Sequence, residues 1–146
     1  MIRLTFEPID YSSLTESVRR PSSGAVVLFL GTVRDWTDGH KTNALEYEAY
    51  IPMAEKTLRQ VEAEIRERWE VGDLAIVHRL GHLDISEVSV AIALSCPHRK
   101  EAFAAAQFAM DRIKEIAPIW KKDIPSTGHA SWVHPGPADN QISANR

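Results

Sequence analysis

Three groups of residues in this sequence have the types and spacing to do chemistry. Arg34 follows directly on an apolar, β-rich run, Ala25 to Thr32 (AVVLFLGT), and the end of a strand is a rigid base for a functional loop. Pro97-His98-Arg99-Lys100 lies between a strand-like and a helix-like segment. Backbone amides at a helix start attract anions, and the potential cations beside them strengthen that field, so a phosphate or carboxylate site is the natural inference. The third group is Lys114 to Lys122, KEIAPIWKK. Lys114 falls in the last turn before Pro118 and Lys121 comes seven residues later, a spacing that on an unbroken helix puts both on nearly one face. Ile119 and Trp120 would supply an apolar wall, which favours a neutral amine by desolvation. A free lysine titrates near about 10.4, so acid–base or nucleophilic work near neutral pH needs such a shift. Each group also has a plainer reading: a solvated arginine, cations exposed beside a helix start, and a helix C-terminus that favours positive charge.

Cys96, close to His98, raises a different chemistry, that of a thiolate nucleophile or persulfide carrier. A lone cysteine ending an apolar strand equally reads as a small buried residue. The two side chains share a face only if the strand continues through Pro97. The six histidines make no convincing metal site. His78 and His82 are four apart, but a strand and Gly81 remove the helical logic of that spacing. Gly31-Thr32-Val33-Arg34 has too few glycines for a phosphate-cradling loop.

The elements that must position these groups follow from periodicity. Ile2 to Phe6, Ala25 to Thr32 (a buried strand), Leu45 to Ala49, Leu74 to Leu80, Val88 to Ser95 and His129 to Val133 are the expected strands. Asp10 to Val18 is a short helix with Asp10 or Ser12 as its cap. Ala54, Leu58, Val61, Ile65 and Trp69 mark an amphipathic helix, with Pro52 in its first turn and Gly72 closing it. Phe103, Ala106, Met110, Ile113 and Ala117 mark a second, ended by Pro118. Trp36 to Thr42, with Asp38-Gly39, reads as an exposed loop, and Gly81 to Glu87 as a turn. Mixed strands with two main helices suggest an α+β fold with a largely antiparallel sheet and the helices over one face. Residues 1–133 are expected to form a single domain, and residues 134–146, rich in Pro, Gly, Asn and Ser, a flexible C-terminal tail.

Composition excludes several classes. With 146 residues, 44% apolar and 25% charged, the chain suits one soluble domain with a real core. A net charge of -3 argues against bulk nucleic-acid binding, so any anion site is built locally from a few cations. The single cysteine permits no intrachain disulfide. No segment reads as a signal peptide or membrane span, and a cytoplasmic protein is expected.

An ordered set of blocks resembles the large, catalytic subunit of molybdopterin synthase: GAVVLFLGTVRD (Gly24 to Asp35), LEYEAY-x-x-M (Leu45 to Met53), VHRLG (Val77 to Gly81), HRKEAF (His98 to Phe103) and MDRIKEIAPIWKK (Met110 to Lys122). The last is the most specific. The resemblance implies an α/β hammerhead with an additional, largely antiparallel β subdomain. It implies a homodimer within a heterotetramer, in which a small ubiquitin-like sulfur-carrier subunit brings a C-terminal Gly-Gly thiocarboxylate. Sulfur then passes to cyclic pyranopterin monophosphate, forming the molybdopterin dithiolene with no resident cofactor or metal. By position, Lys114 and Lys121 match the family's active-site lysines, and Arg34, His98 and Arg99 its substrate-pocket residues. Lys114 is expected to handle protons and Lys121 to position charge.

One departure stands out. The family pattern carries an arginine shortly after the final tryptophan, whereas here Trp132-Val133 runs into His134-Pro135-Gly136-Pro137 and no arginine follows before Arg146. Either His134 substitutes or the tail's contribution to a neighbouring subunit's pocket is weaker. Two other classes stay in view: a non-catalytic module binding a phosphorylated metabolite through Arg34, His98 and Arg99, and a Cys96 persulfide sulfurtransferase.

Overall fold

The computed structural model describes residues 1–125 and 131–133. In chain order the elements are β1 (Ile2–Thr5), α1 (Tyr11–Ser17), β2 (Ala25–Thr32), β3 (Trp36–Thr37), β4 (His40–Ala49), α2 (Ile51–Arg68), β5 (Leu74–Arg79), β6 (Gly81–Asp84), β7 (Val88–Cys96), α3 (Arg99–Ile116), β8 (Ile119–Pro125) and β9 (Ser131–Val133). The fold is α+β, with two sheets. One sheet has the order β1-β5-β7-β2, with β1 parallel to β5 and the other pairs antiparallel. The other runs β3-β4-β8-β9, and β6 also pairs with β4.

The helices form where sequence and capping favour them. Asp10 caps α1, its carboxylate accepting the Ser13 backbone N–H at 3.1 Å. Pro52 sits in the first turn of α2, and Ala54, Leu58, Val61 and Ile65, at helical spacing, are fully buried. Burying each of these larger aliphatic chains stabilises the fold by roughly 1.5–3 kcal/mol. They pack with α3 on Ile76, Ile92 and Leu94 of the first sheet.

Several expectations need correcting. The helices do not cover one face only: α1 and its C-cap lay Leu14 and Val18 on Ala75, Val77, Ala91 and Ala93, on the other side of the sheet. Strands β5 and β7 are apolar on both faces and so require cover on both. Nor is Ala25–Thr32 a fully buried strand. It is the sheet's edge, with Val26 and Phe29 more than a third exposed. On α3 the buried stripe is Ala102, Ala105, Ala106, Ala109 and Ile113, while Phe103 is 63% exposed. The small residues let the helix lie close to the sheet, which turns Phe103 outward. Residues 36–42 form a β3–β4 hairpin rather than a loop, with Asp38 and Gly39 at φ +46° and +83° as its turn. Residues 81–84 are β6, not a turn.

Two further differences concern chain ends and turns. Helix α2 stops at Arg68, before Gly72, whose value is close approach instead: its N–H donates to the Ser95 carbonyl at 2.7 Å, and a Cβ there would meet Ser23 Oγ at 2.5 Å. Ser131–Val133 pairs with β8 as the last strand, whereas His129, His134 and the expected tail lie outside the described residues. Among the described residues no helix is long and apolar enough to cross a membrane.

Candidate functional site

Where the two sheets meet the end of α3, a cavity of about 320 Å³ is lined by Arg34, Lys114 and Lys121 together with Tyr47, His78 and Ser89. Each cation is held there by a local device. Strand β2 pairs with β7 up to a bulge between Gly31 and Thr32. Val33 then turns inward, buried, its N–H donating to the Glu87 carbonyl at 3.0 Å and its carbonyl accepting from Ser86 at 2.8 Å. Arg34 emerges from this pinned bend at the exposed rim. Gly31 keeps the wall thin, since a Cβ would meet Val90 Cγ1 at 2.6 Å.

The lysines sit on two different elements. Met110, Ile113, Lys114 and Ala117 line the cavity as one helical stripe at the end of α3. Pro118 disfavours helical geometry at Ala117, which is extended (φ -73°, ψ 128°). The chain turns into β8, whose pairing sets Lys121 beside Tyr47 and Asp123 beside Leu45 on β4. Alternation along β8 places Ile119, Lys121 and Asp123 on one face and Trp120 on the other. Only half of the expected apolar wall is therefore present: Ile119 lines the cavity, and Trp120 does not.

Electrostatics distinguish the three cations. Lys114 and Arg34 are exposed, while Lys121 is partly buried. Burial pulls the Lys121 amine below the usual lysine value, and the positive charges of Lys114 and Arg34 push it the same way, against the weaker pull of Asp123 and Asp38. One oxygen of the buried Asp123 carboxylate is held, Oδ2 lying 3.0 Å from His40 Nε2 and 3.2 Å from Thr42 Oγ1. The arrangement can bind an anion at its rim and offer, deeper in, an amine ready to give up a proton.

Arg34, Lys114 and Lys121 are thus brought together. His98 and Arg99 are not in this cavity. They lie exposed at the opposite end of α3, and Arg99 precedes Lys114 by fifteen positions of helix, roughly 22 Å of rise. Cys96 is fully buried and its thiol is pushed up by burial, then by Glu101 and Glu70. That is the reverse of what a thiolate nucleophile needs. Tyr47, Ser89 and Asp123 escaped the sequence reading, and His78 was weighed there only as a metal ligand. The signal for His78 was a histidine inside an otherwise apolar strand, LAIVHR. Among the described residues no group of three His, Cys, Asp or Glu could hold a metal ion.

Comparison with known proteins places this site in context. The model of the family described as "MoaE protein" matches residues 4–116. The molybdopterin synthase catalytic subunit of Staphylococcus carnosus (strain TM300) is 54% identical over 127 residues, 87% of this chain and 84% of that protein. The protein of the same name from Bacillus subtilis (strain 168) is 49% identical over 130 residues, 89% of this chain and 82% of its own length. A chain of the crystal structure of molybdopterin synthase from Staphylococcus aureus superposes with a TM-score of 0.84 at 51% identity, covering 89% of this chain and 94% of that one.

Proposed function

The chain belongs to the MoaE protein family, and from that membership we propose that it is the catalytic subunit of a molybdopterin synthase, an enzyme of molybdenum cofactor biosynthesis. The observation that carries this reading is the convergence of Arg34, Lys114 and Lys121, from the bend after β2, the end of α3 and β8, on one cavity. The name shared by the relatives, a catalytic subunit, itself implies a second chain. Here that chain is a small ubiquitin-like partner whose C-terminal Gly-Gly thiocarboxylate supplies sulfur, and the acceptor is cyclic pyranopterin monophosphate. A cytoplasmic setting fits the buried, unpaired thiol of Cys96.

The residues suit the chemistry. The thiocarboxylate sulfur forms a C–S bond at a precursor carbon as the oxygen on that carbon leaves. Water then cleaves the acyl C–S bond, so sulfur stays on the precursor and the partner's tail departs as a carboxylate. Two rounds complete the dithiolene. Arg34 and Lys114 hold the precursor's phosphate and offset the negative charge that develops at each step. Lys121, whose amine is depressed, protonates the departing oxygen. This division reverses the one expected from the sequence, because burial falls on Lys121 and not on Lys114.

His98 and Arg99 are too far along α3 to serve the cavity of their own chain. In a homodimer with twofold symmetry they would serve the cavity of the neighbouring copy. Purified chain incubated with cyclic pyranopterin monophosphate and thiocarboxylated partner tests the reading. Dithiolene product is expected. Precursor binding without turnover would favour a metabolite-binding module instead.

A further inference from the structure

The cavity is also lined by polar side chains with no assigned role, and one of them is an imidazole. His78 is only 6% exposed, yet it lines the cavity. Its Nδ1 lies 2.9 Å from the carbonyl oxygen of Arg79. A carbonyl can only accept, so in the neutral ring the proton sits on Nδ1 and Nε2 carries a bare lone pair. Among the described residues Nε2 has no hydrogen-bond partner. The sealed, unpartnered side-chain atoms there belong to Ser23, Arg79, Glu101 and Asp123, not to His78. The lone pair is therefore open to the space its ring lines. Tyr47 packs edge-on against the imidazole, ring centres 5.0 Å apart at 70°, and fixes its plane.

The ring also stays neutral. Burial draws His78 down from 6.5 to about 4, only partly opposed by its bond to the Arg79 carbonyl. Lys114, Lys121 and Arg34, the cations that share the cavity, add no incentive to take up another proton. A lone pair fixed in a buried wall repels phosphate oxygens and rewards an N–H donor. The cavity thus offers two unlike groups, cations suited to an anion and a fixed acceptor suited to a donor.

We propose that His78 is a specificity-determining residue of this site, accepting at Nε2 a hydrogen bond from an N–H of the nitrogen heterocycle of the substrate, while the cations take its phosphate. The proposal rests on the pterin reading above and deepens it. It assigns His78 no part in the sulfur chemistry itself.

The test uses the full chain with its small partner and two probes, cyclic pyranopterin monophosphate and inorganic phosphate. His78→Phe, which keeps an aromatic ring against Tyr47 but removes the acceptor, is expected to weaken precursor binding about tenfold and leave phosphate binding unchanged. His78→Gln, which restores an acceptor, is expected to bring precursor affinity back to within about threefold of wild type. In the unmodified protein, labelled with ¹⁵N-histidine, the unprotonated ring nitrogen of His78 is expected to move upfield when precursor is added and to stay put with phosphate alone. Unchanged precursor affinity in folded His78→Phe, a parallel loss of phosphate affinity, or a stationary nitrogen resonance in precursor-saturated wild type would each overturn the proposal. Wild-type protein that binds no precursor would instead remove the pterin reading, and this proposal with it.

Discussion

Lys114 and Lys121 face one cavity from opposite sides of the Ala117–Pro118 junction, the first from the last turn of α3 and the second from β8. The helix break that separates them in secondary structure is what lets them differ electrostatically. Lys114 stays exposed, while Lys121 is drawn in beside Tyr47 and loses affinity for its proton.

Lys121 should cost the fold stability while serving the reaction. Its folded value lies below its ordinary 10.5, so between the two the unfolded chain binds more protons and stability rises with pH. The penalty is full below the lowered value and fades as pH climbs from there toward that of the free side chain. Lys121→Met is therefore expected to melt higher than wild type at pH 7, with the difference shrinking in alkaline buffer. Its sulfur transfer should fall by roughly a hundredfold or more. Calorimetry across that pH range checks the first part, and a melting point below wild type at pH 7 contradicts it.

His78 should set an acid limit. With its folded value depressed from 6.5 to about 4, the unfolded chain takes up the proton first. Its stabilising contribution is whole above 6.5 and is lost as pH falls from there to about 4, up to about 3 kcal/mol. His78→Gln should flatten urea-denaturation stability across that window relative to wild type. Identical slopes in both proteins would show that His78 is not buried neutral.

Cys96→Ser is expected to retain most activity, within a few-fold of wild type, because in the proposed reaction sulfur arrives on the partner and the thiol is sealed in the core. The swap places a hydroxyl among apolar neighbours and should lower stability modestly. Lost turnover in a well-folded Cys96→Ser protein would return the persulfide chemistry to contention.

Much of this was legible beforehand. Periodicity placed α2 through Ala54, Leu58, Val61 and Ile65, and the Asp10 cap and the Pro118 stop both stand. What escaped was long-range. Residues 81–84 and 119–125 are strands because β4 lies beside them, and KEIAPIWKK carries no alternation strong enough to announce a strand. Phe103 was assigned inward because helical spacing fixes a stripe only to within a residue, and the alanine row won. Arg34, Lys114 and Lys121 were each visible as residue types. That Tyr47 and His78 share their cavity depends on the register of β4 and β5 within two different sheets.

The placement of Arg99 predicts subunit complementation. Lys114→Ala and Arg99→Ala should each be nearly inactive alone. If Arg99 serves the neighbouring copy, mixed dimers contain one intact site, and co-refolding equal amounts should recover about a quarter of wild-type activity. No recovery would place Arg99 in the service of its own chain or outside the reaction.

The most direct measurement is single-turnover dithiolene formation from cyclic pyranopterin monophosphate and thiocarboxylated partner, both saturating, with four variants beside wild type. Lys114→Ala and Lys121→Ala should each fold, bind the partner and lose roughly a hundredfold or more in rate. Lys114→Arg should recover a substantial part, because its task is charge. Lys121→Arg should not, because a guanidinium holds its proton. Alanine variants within a few-fold of wild type would contradict the account that this cavity is where sulfur is transferred.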